Sequence, residues 1–263
     1  MTVALFVPCY VDQLFPHVAI AALQVLERLG VPVAVPEGAV CCGQPPANAG
    51  FERGAEPTLA RFVDTYASFE RVVVLSGSCA VHVRAHAGSL GAAGARVGER
   101  TTELCAFLHD EVGLDAVRAL GAELPRRVGV HVGCHALRSL GLARPSEIRA
   151  PAFDKVRALL STVRGLTFAE PQRRDECCGF GGTFAVSEPA LSAKMGRDRL
   201  RDWASAGAEA LVSTDVSCLM HLGGLTARAG ARLPMMHVAE VLATVERGAG
   251  IVESTAAARS TLA

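Results

Sequence analysis

Thiol side chains occur twice in the same order along this 263-residue chain. Each set has a vicinal Cys-Cys-Gly pair with one single cysteine before it and one after it, at separations of 31 to 42 residues. The two sets are Cys9, Cys41, Cys42 and Cys79, followed by Cys134, Cys177, Cys178 and Cys218. Cysteine thiolates are ligands of metal ions and metal clusters. The repeated order therefore predicts two metal or cluster sites on a duplicated unit.

Composition and charge exclude several kinds of partner. The 26 basic and 26 acidic side chains cancel, and no basic stripe with interleaved aromatic residues is present. We therefore expect neither nucleic acid nor an anionic membrane as the partner. The apolar stretch at 18–26 is too short to span a bilayer, and the run at 3–7 lacks the pattern of a signal peptide. These features predict a soluble, cytoplasmic protein.

The expected compartment decides how the thiols are interpreted. Disulfides are rare in a reducing cytosol, where grouped cysteines more often bind metal or take part in catalysis. Burial as a small apolar side chain explains a single cysteine well, but it explains two vicinal pairs with repeated flanks poorly.

Short apolar runs alternate with segments of helical periodicity through both halves of the chain. The predicted strands are 3–7, 31–35 and 72–75, then 127–132, 166–168 and 210–213. The predicted helices are 15–29, 56–69, 79–87 and 102–112, then 153–163, 188–204, 218–229 and 237–245. This alternation predicts an α/β fold of two pseudo-repeated halves, each a parallel sheet flanked by helices. We place the first repeat at 1–124, the second at 125–250, and a flexible C-terminal tail at 251–263.

The cysteines follow the predicted strands. The single cysteines come just after strand ends, and each pair lies in the loop after another strand. The carboxyl ends of parallel strands share one edge of a sheet, where ligand sites form. Thiols far apart in sequence should therefore meet at one edge in each half.

The spacing leaves the kind of metal open. Four cysteines suffice for a tetrahedral structural zinc, but zinc sites usually contain Cys-x-x-Cys hooks, which neither half has. Adjacent cysteines suit an iron–sulfur cluster better, because two neighbouring sulfurs can reach different irons. The spacing favours a cluster, with zinc as the alternative.

The order of the cysteines resembles the cysteine-rich CCG domain, which occurs in the glycolate oxidase iron–sulfur subunit and in subunits of heterodisulfide reductase and anaerobic glycerol-3-phosphate dehydrogenase. The two-repeat length and the string Cys-Cys-Gly-Phe-Gly-Gly-Thr-Phe at 177–184 are most similar to the lactate utilization protein A family. This resemblance implies a subunit that transfers electrons during oxidation of L-lactate to pyruvate, with a [4Fe-4S] type cluster. It also implies a complex with the ferredoxin-like lactate utilization protein B and with protein C.

One position departs from the pattern of the reductase relatives. Their motif ends in Cys-x-x-Cys and supplies five cysteines to a non-cubane cluster, whereas here the residue three after Cys79 is His82 and the residue three after Cys218 is His221. Spacing of i, i+3 on a helix puts each histidine beside its cysteine, so both are candidate ligands. Packing of these histidines between the two halves is the alternative explanation.

Other residues near the predicted edges have simpler explanations. Cys105 aligns with Ala239 of the second half and fits a buried small residue, and Asp215 fits a helix cap. Three histidines could transfer protons there, although packing explains each of them better: His131, His135 and His237. Glycines follow the pair at 177–178, whereas prolines follow the pair at 41–42, which favours the second half as the cluster site.

Three functions remain open from the residues. The first is a redox subunit with cysteine-held clusters, and the second is a zinc-stabilised scaffold that organises partner subunits. The third is a metal-free protein that uses its vicinal thiols in thiol–disulfide exchange. No Ser-His-Asp or paired-carboxylate arrangement is apparent, so the sequence offers no support for hydrolysis.

Overall fold

The computed structural model describes residues 2–38 and 41–244. The C-terminal tail predicted at 251–263 and the last six residues of the predicted second repeat lie outside the described residues.

The first sheet is built from short strands rich in β-branched and apolar residues, and its two central strands are almost fully buried. Its strands are β1 (Val3–Phe6), β2 (Val33–Ala34), β3 (Arg71–Val74) and β4 (Thr101–Glu103). Their order across the sheet is β2-β1-β3-β4, and all neighbours are parallel. Because parallel sheets are covered on both faces, β1 and β3 have continuous apolar runs rather than alternating ones.

The second sheet repeats the first in strand order and direction. Its strands are β5 (Arg127–His131), β6 (Thr167–Phe168), β7 (Ala210–Ser213) and β8 (Met235–His237). They lie in the order β6-β5-β7-β8 and are all parallel. The predicted architecture of two pseudo-repeated α/β halves is therefore confirmed.

Helices flank both sheets. Those of the first half are α1 (Cys9–Leu14), α2 (Pro16–Arg28), α3 (Gln44–Asn48), α4 (Glu52–Tyr66), α5 (Gly77–His86), α6 (Ala92–Arg100), α7 (Leu104–Phe107) and α8 (Leu114–Ala119). Those of the second half are α9 (Lys155–Leu160), α10 (Phe184–Ser187), α11 (Pro189–Ser205), α12 (Val216–Arg228) and α13 (Val238–Ala243). A 3₁₀ turn follows α5 at Ala87–Leu90, and π-helical turns occupy Leu108–Val112 and His135–Ser139.

One predicted helix was wrong at its start, and one edge strand was not predicted. The segment predicted as a helix at 102–112 begins with the last two residues of the edge strand β4, and α7 follows. The helix predicted from 237 is found as α13, which starts at Val238 after the cap His237, and the edge strand β8 before it was not predicted. Each edge strand has three residues, too few for a periodic apolar pattern. Pairing with the neighbouring strands β3 and β7 fixes their conformation, and that pairing is a tertiary contact which local sequence does not encode.

One apolar core joins the two halves. Val3 and Leu5 of β1 belong to the same buried cluster as Val128 and Val130 of β5, and helices α2 and α13 pack against each other. The opposite faces of the sheets contact separate clusters, one in each half. The repeat boundary at 124/125 stays a prediction, and the halves on either side of it pack into a common interior.

Within the part of the chain that the structure describes, no helix is both long enough and apolar enough to cross a membrane.

Candidate metal-binding sites

The single cysteines of both halves lie just beyond strand ends. Cys9 begins α1 three residues after β1, and Cys79 lies in the first turn of α5 after β3. Cys134 and Cys218 have the equivalent places after β5 and β7, and Cys218 lies in the first turn of α12. Each pair lies in the loop after its edge strand, β2 or β6. Because β1 and β3 are parallel neighbours, as are β5 and β7, each topology collects its thiols at one edge.

The four thiols of the first half form a connected chain. Cys9 is hydrogen-bonded to Cys41, and Cys41 to Cys42. The Sγ atoms of Cys42 and Cys79 are 3.2 Å apart. The structure thus brings all four predicted residues of this half together.

The second half contains the same chain in the same order. Cys134 is hydrogen-bonded to Cys177, Cys177 to Cys178, and Cys178 to Cys218. In both halves the vicinal pair forms the middle of the chain and the single cysteines form its ends. The duplication seen in the sequence therefore extends to side-chain geometry.

The first cysteine of each pair accepts hydrogen bonds from two other thiols of its set. Hydrogen bonds from Cys42 and Cys9 hold the pKa of Cys41 far below that of an ordinary thiol, and the Gly43 amide adds a bond to Sγ at 3.4 Å. Hydrogen bonds from Cys134 and Cys178 lower the pKa of Cys177 likewise, with the Gly179 amide 3.3 Å from its Sγ. Thiolates are the form that binds metal, so each site already favours one ligand in its binding state.

Each thiol chain runs from the solvent into the core. Cys42 and Cys79 are buried in the first half, as are Cys178 and Cys218 in the second. Cys9 is exposed, and the remaining three are partly accessible: Cys41, Cys134 and Cys177. A group held by these thiols would have one protected side and one side that a partner could reach.

The two histidines that replace the fifth cysteine have different surroundings. His82 is buried, its Nε2 has no hydrogen-bond partner, and burial lowers its pKa to about 4. Its Nε2 lies 3.4 Å from where a Cβ on Gly43 would stand, so the ring faces the first cysteine loop. The Nε2 of His221 instead lies 3.3 Å from the carbonyl oxygen of Ser192. The first histidine has a free nitrogen beside its site, and the second is already hydrogen-bonded.

His131 is the residue that sequence reasoning undervalued. It ends β5, is 2% exposed, and a ring nitrogen lies within 4.8 Å of the Sγ atoms of both Cys178 and Cys218. Its Nε2 has no hydrogen-bond partner. Among the described residues, this trio is the one group of three such ligand atoms that are all mutually this close. Alignment of the two halves could have drawn attention to His131 in the sequence. The equivalent position of the first half is Phe6, a residue that cannot be a ligand.

The remaining candidates have structural roles. Cys105 is buried on α7, where burial raises the pKa of its thiol. Asp215 caps α12 through the Ser217 amide, as predicted. The ring of His237 is hydrogen-bonded to the Thr214 carbonyl and the Ala239 amide, which fits packing rather than proton transfer.

Comparison with known proteins places the same residues in a known pattern. A profile of the CCG cysteine-rich domain matches residues 3–84 and 128–223, two segments that contain all eight clustered cysteines and exclude Cys105. Lactate utilization protein A of Bacillus subtilis (strain 168) is 36% identical over 248 residues, covering 92% of this chain and 99% of that protein. Lactate utilization protein A of Bacillus cytotoxicus is 37% identical, over 92% and 98%. Lactate utilization protein A 1 of Bacillus cereus (strain AH820) is 36% identical over the same shares.

Proposed function

The chain belongs to the CCG cysteine-rich domain family that includes lactate utilization protein A, and from this premise we propose that it is a redox subunit which transfers electrons during oxidation of L-lactate to pyruvate. The observation that carries the proposal is the chain of four connected thiols present in both halves. The substrate rests on similarity to proteins named for lactate utilization, which covers almost the whole chain.

The shape of the thiol chains supports an iron–sulfur cluster over a single zinc ion in the first half. Zn–S bonds of about 2.3 Å in a tetrahedron put every pair of sulfurs about 3.8 Å apart. In the first half no three of the four thiols, all within the described residues, lie mutually within 4.8 Å. Four thiols spread out in this way suit ligands that bind different irons of one cluster.

The residues of each site supply what such a group requires. The thiolates at Cys41 and Cys177 accept amide hydrogen bonds from Gly43 and Gly179, which stabilise negative charge on sulfur. The buried ends of the chains keep water from one side, and the accessible ends leave a route for a partner. A bound cluster would supply storage of single electrons. The cysteines of each site would hold it, and the buried thiols would keep water from one side of it.

We propose further that the chain works in the cytoplasm as part of a complex with a ferredoxin-like lactate utilization protein B and with protein C. Each repeat, 1–124 and 125–250, then carries one site. Electrons from the hydroxy acid would enter or leave through the accessible thiols, because these are the part of each site that a partner protein can approach.

A zinc site in the second half is the competing proposal. Three ligand atoms from His131, Cys178 and Cys218 within 4.8 Å of one another approach the compact set that tetrahedral zinc requires. Zinc there would make the chain a scaffold subunit. Thiol–disulfide exchange at the vicinal pairs is the metal-free alternative.

Anaerobic purification with analysis of iron, acid-labile sulfide and zinc separates these proposals. We expect iron and sulfide in both sites, with Cys178→Ser removing about half of each and the buried Cys105→Ser removing none. Zinc without iron or sulfide would support the scaffold, and neither metal would support thiol exchange. With proteins B and C added, L-lactate should reduce an artificial electron acceptor, measured by absorbance, and Cys178→Ser should abolish that reduction.

A further inference from the structure

We propose that His131 is a nitrogen ligand of the metal group in the second site, and that the first site has no ligand at the equivalent position. The inference rests on the proposed function in one respect, since it requires the second site to hold a cluster or metal. It makes the two sites chemically different, although their cysteines are equivalent.

The position of the imidazole carries the inference. A ring nitrogen of His131 lies within 4.8 Å of the two buried sulfurs of the second thiol chain, those of Cys178 and Cys218. The side chain is 2% exposed, and its Nε2 has no hydrogen-bond partner. Hydrogen bonds from Cys178 and from the His131 imidazole lower the pKa of Cys218 to about 7, which places the ring against that sulfur. A buried polar atom without a partner is costly and rare in a native interior. Coordination by the imidazole would take place where the thiols already converge.

The backbone fixes this imidazole before any ligand binds. His131 pairs with Ser213 in the parallel ladder between β5 and β7. Two residues earlier on the same strand face, Gly129 lies so close to Trp203 of α11 that a Cβ would be 2.6 Å from that ring. The strand is therefore pressed against α11, and the side chain at its end is directed towards the buried cysteines on that face.

The first half has a different residue at the equivalent place. Phe6 ends β1 three residues before Cys9, as His131 ends β5 three residues before Cys134. Phe6 packs edge-on against Phe62 and Tyr66, with ring centroids 5.0 and 5.8 Å away. Phe6 also belongs to the same buried cluster as Cys42 and Cys79. An apolar ring thus occupies the first site where an imidazole occupies the second.

The alternative histidine of the second half is bound elsewhere. His221 lies one turn after Cys218 on α12, where a fifth cysteine would stand, but its Nε2 is 3.3 Å from the Ser192 carbonyl oxygen. In the first half His82 lies at that helical position and its Nε2 is free. The imidazole available to the second site is therefore that of His131 on a strand, whereas the imidazole beside the first site is that of His82 on a helix.

A neutral imidazole in place of a thiolate changes the electronic properties of the site. It removes one negative charge from the ligand set, and replacement of cysteine by histidine raises the reduction potential of iron–sulfur centres. His131 should therefore set the potential of the second site above the value that five thiolates would give. The route of electrons through the molecule would then depend on this one side chain.

The test uses the full-length chain in the Cys42→Ser background, where the first site has lost a ligand, loaded anaerobically and labelled with ¹⁵N-histidine. Pulsed EPR of the reduced protein should show ¹⁵N coupling from one histidine. His131→Phe, which copies the first half, should abolish that coupling and lower metal retention during dialysis against a chelator at least fivefold. His131→Cys should retain metal, lose the coupling and lower the midpoint potential. His221→Gln is the matched control and should leave the coupling intact.

The outcomes separate this inference from the proposed function. Coupling that survives in His131→Phe, or that disappears in His221→Gln, would overturn the inference while leaving a metal-loaded redox subunit in place. Unchanged metal retention in His131→Phe would also overturn it. A parent protein that binds neither iron nor zinc under anaerobic conditions would overturn both proposals together.

Discussion

The glycine after each cysteine pair determines how closely the cysteine loop approaches the neighbouring helix. Gly179 has a φ of +89°, and a Cβ there would lie 2.6 Å from the Ser192 carbonyl oxygen of α11. Gly43 has a φ of +92°, and its Cβ would lie 3.2 Å from the carbonyl oxygen of Ala55 in α4. Both loops therefore require a left-handed residue without a side chain. The amides of these glycines can then reach the preceding thiolates.

Two glycines of the second loop should respond differently to the same substitution. Gly182 also has a positive φ, +63°, but no atom lies within 4 Å of the Cβ position. We expect Gly182→Ala to cost about 1 kcal/mol from backbone strain alone. Gly179→Ala should cost about 3 kcal/mol or more, because strain is joined by overlap with the backbone of α11. Urea unfolding of the metal-free proteins measures both; equal costs would contradict this account of the loop.

At the residue scale the sequence predicts which thiols lie together better than it predicts what surrounds them. All eight clustered cysteines meet in the sets that their order indicates, because thiols at parallel strand ends are brought together by topology. The closeness of His131 to the second set of thiols was not predicted, since a histidine in an apolar strand is usually a packed residue. Only the side-chain geometry reveals that its ring lies beside two sulfurs and that its Nε2 has no hydrogen-bond partner.

Helices α7 and α13 begin at equivalent places with opposite chemistry. Glu103 caps α7 by accepting hydrogen bonds from the Cys105 and Ala106 amides, and His237 caps α13 through the Ala239 amide. Both caps are buried. Burial raises the pKa of Glu103 from its ordinary 4.5 to about 8, and it lowers the pKa of His237 from 6.5 to about 4. Burial favours the neutral form in each case.

These caps should give stability opposite dependences on pH. Between pH 4.5 and 8 the folded protein keeps a proton on Glu103 that the unfolded chain has released, so the free energy of unfolding falls as pH rises. Between pH 6.5 and 4 the unfolded chain protonates His237 first, so the free energy of unfolding falls as pH falls. Glu103 should make the free energy of unfolding of the parent fall by on the order of 3 kcal/mol between pH 5 and 8, and Glu103→Gln should abolish that fall.

His237→Asn provides the matched variant, because asparagine can still cap α13 but cannot titrate. The variant should no longer lose free energy of unfolding between pH 6.5 and 4. It should still lose the free energy of unfolding that Glu103 causes between pH 5 and 8. Chemical unfolding at pH 4, 6.5 and 8 measures all three proteins. A Glu103→Gln profile parallel to that of the parent would show that this carboxyl titrates normally.

At the element scale the long, periodic segments were predictable and the short paired ones were not. The helix predicted at 15–29 is found at Pro16–Arg28, and the strand at 210–213 matches β7. Their own apolar patterns define these elements. The end of strand β4 was predicted as helix and strand β8 was not predicted, since only pairing with a neighbouring strand makes these three-residue segments extended.

The two halves are joined through a buried carboxylate as well as through the shared core. Asp215 of the second half is 4% exposed and accepts hydrogen bonds from Tyr10 at 3.1 Å and from Ser76 at 3.3 Å, both from the first half. It also accepts one from the Ser217 hydroxyl at 2.8 Å. Burial and the Asp215 charge raise the pKa of Tyr10, so its hydroxyl remains a donor. This contact connects the loops that hold the two thiol chains.

Loss of one hydroxyl should therefore weaken the whole molecule, and a second tyrosine supplies the control. Tyr10→Phe leaves Asp215 with one donor fewer in a buried place, so we expect the free energy of unfolding to fall by about 1.5–3 kcal/mol. The Tyr66 hydroxyl is buried without a hydrogen-bond partner, so Tyr66→Phe should leave stability unchanged or raise it. Because the common core spans both sheets, Tyr10→Phe should shift one cooperative urea transition rather than divide it into two. Separate transitions for the two halves, or equal effects of the two substitutions, would contradict a fold stabilised across the interface by this carboxylate.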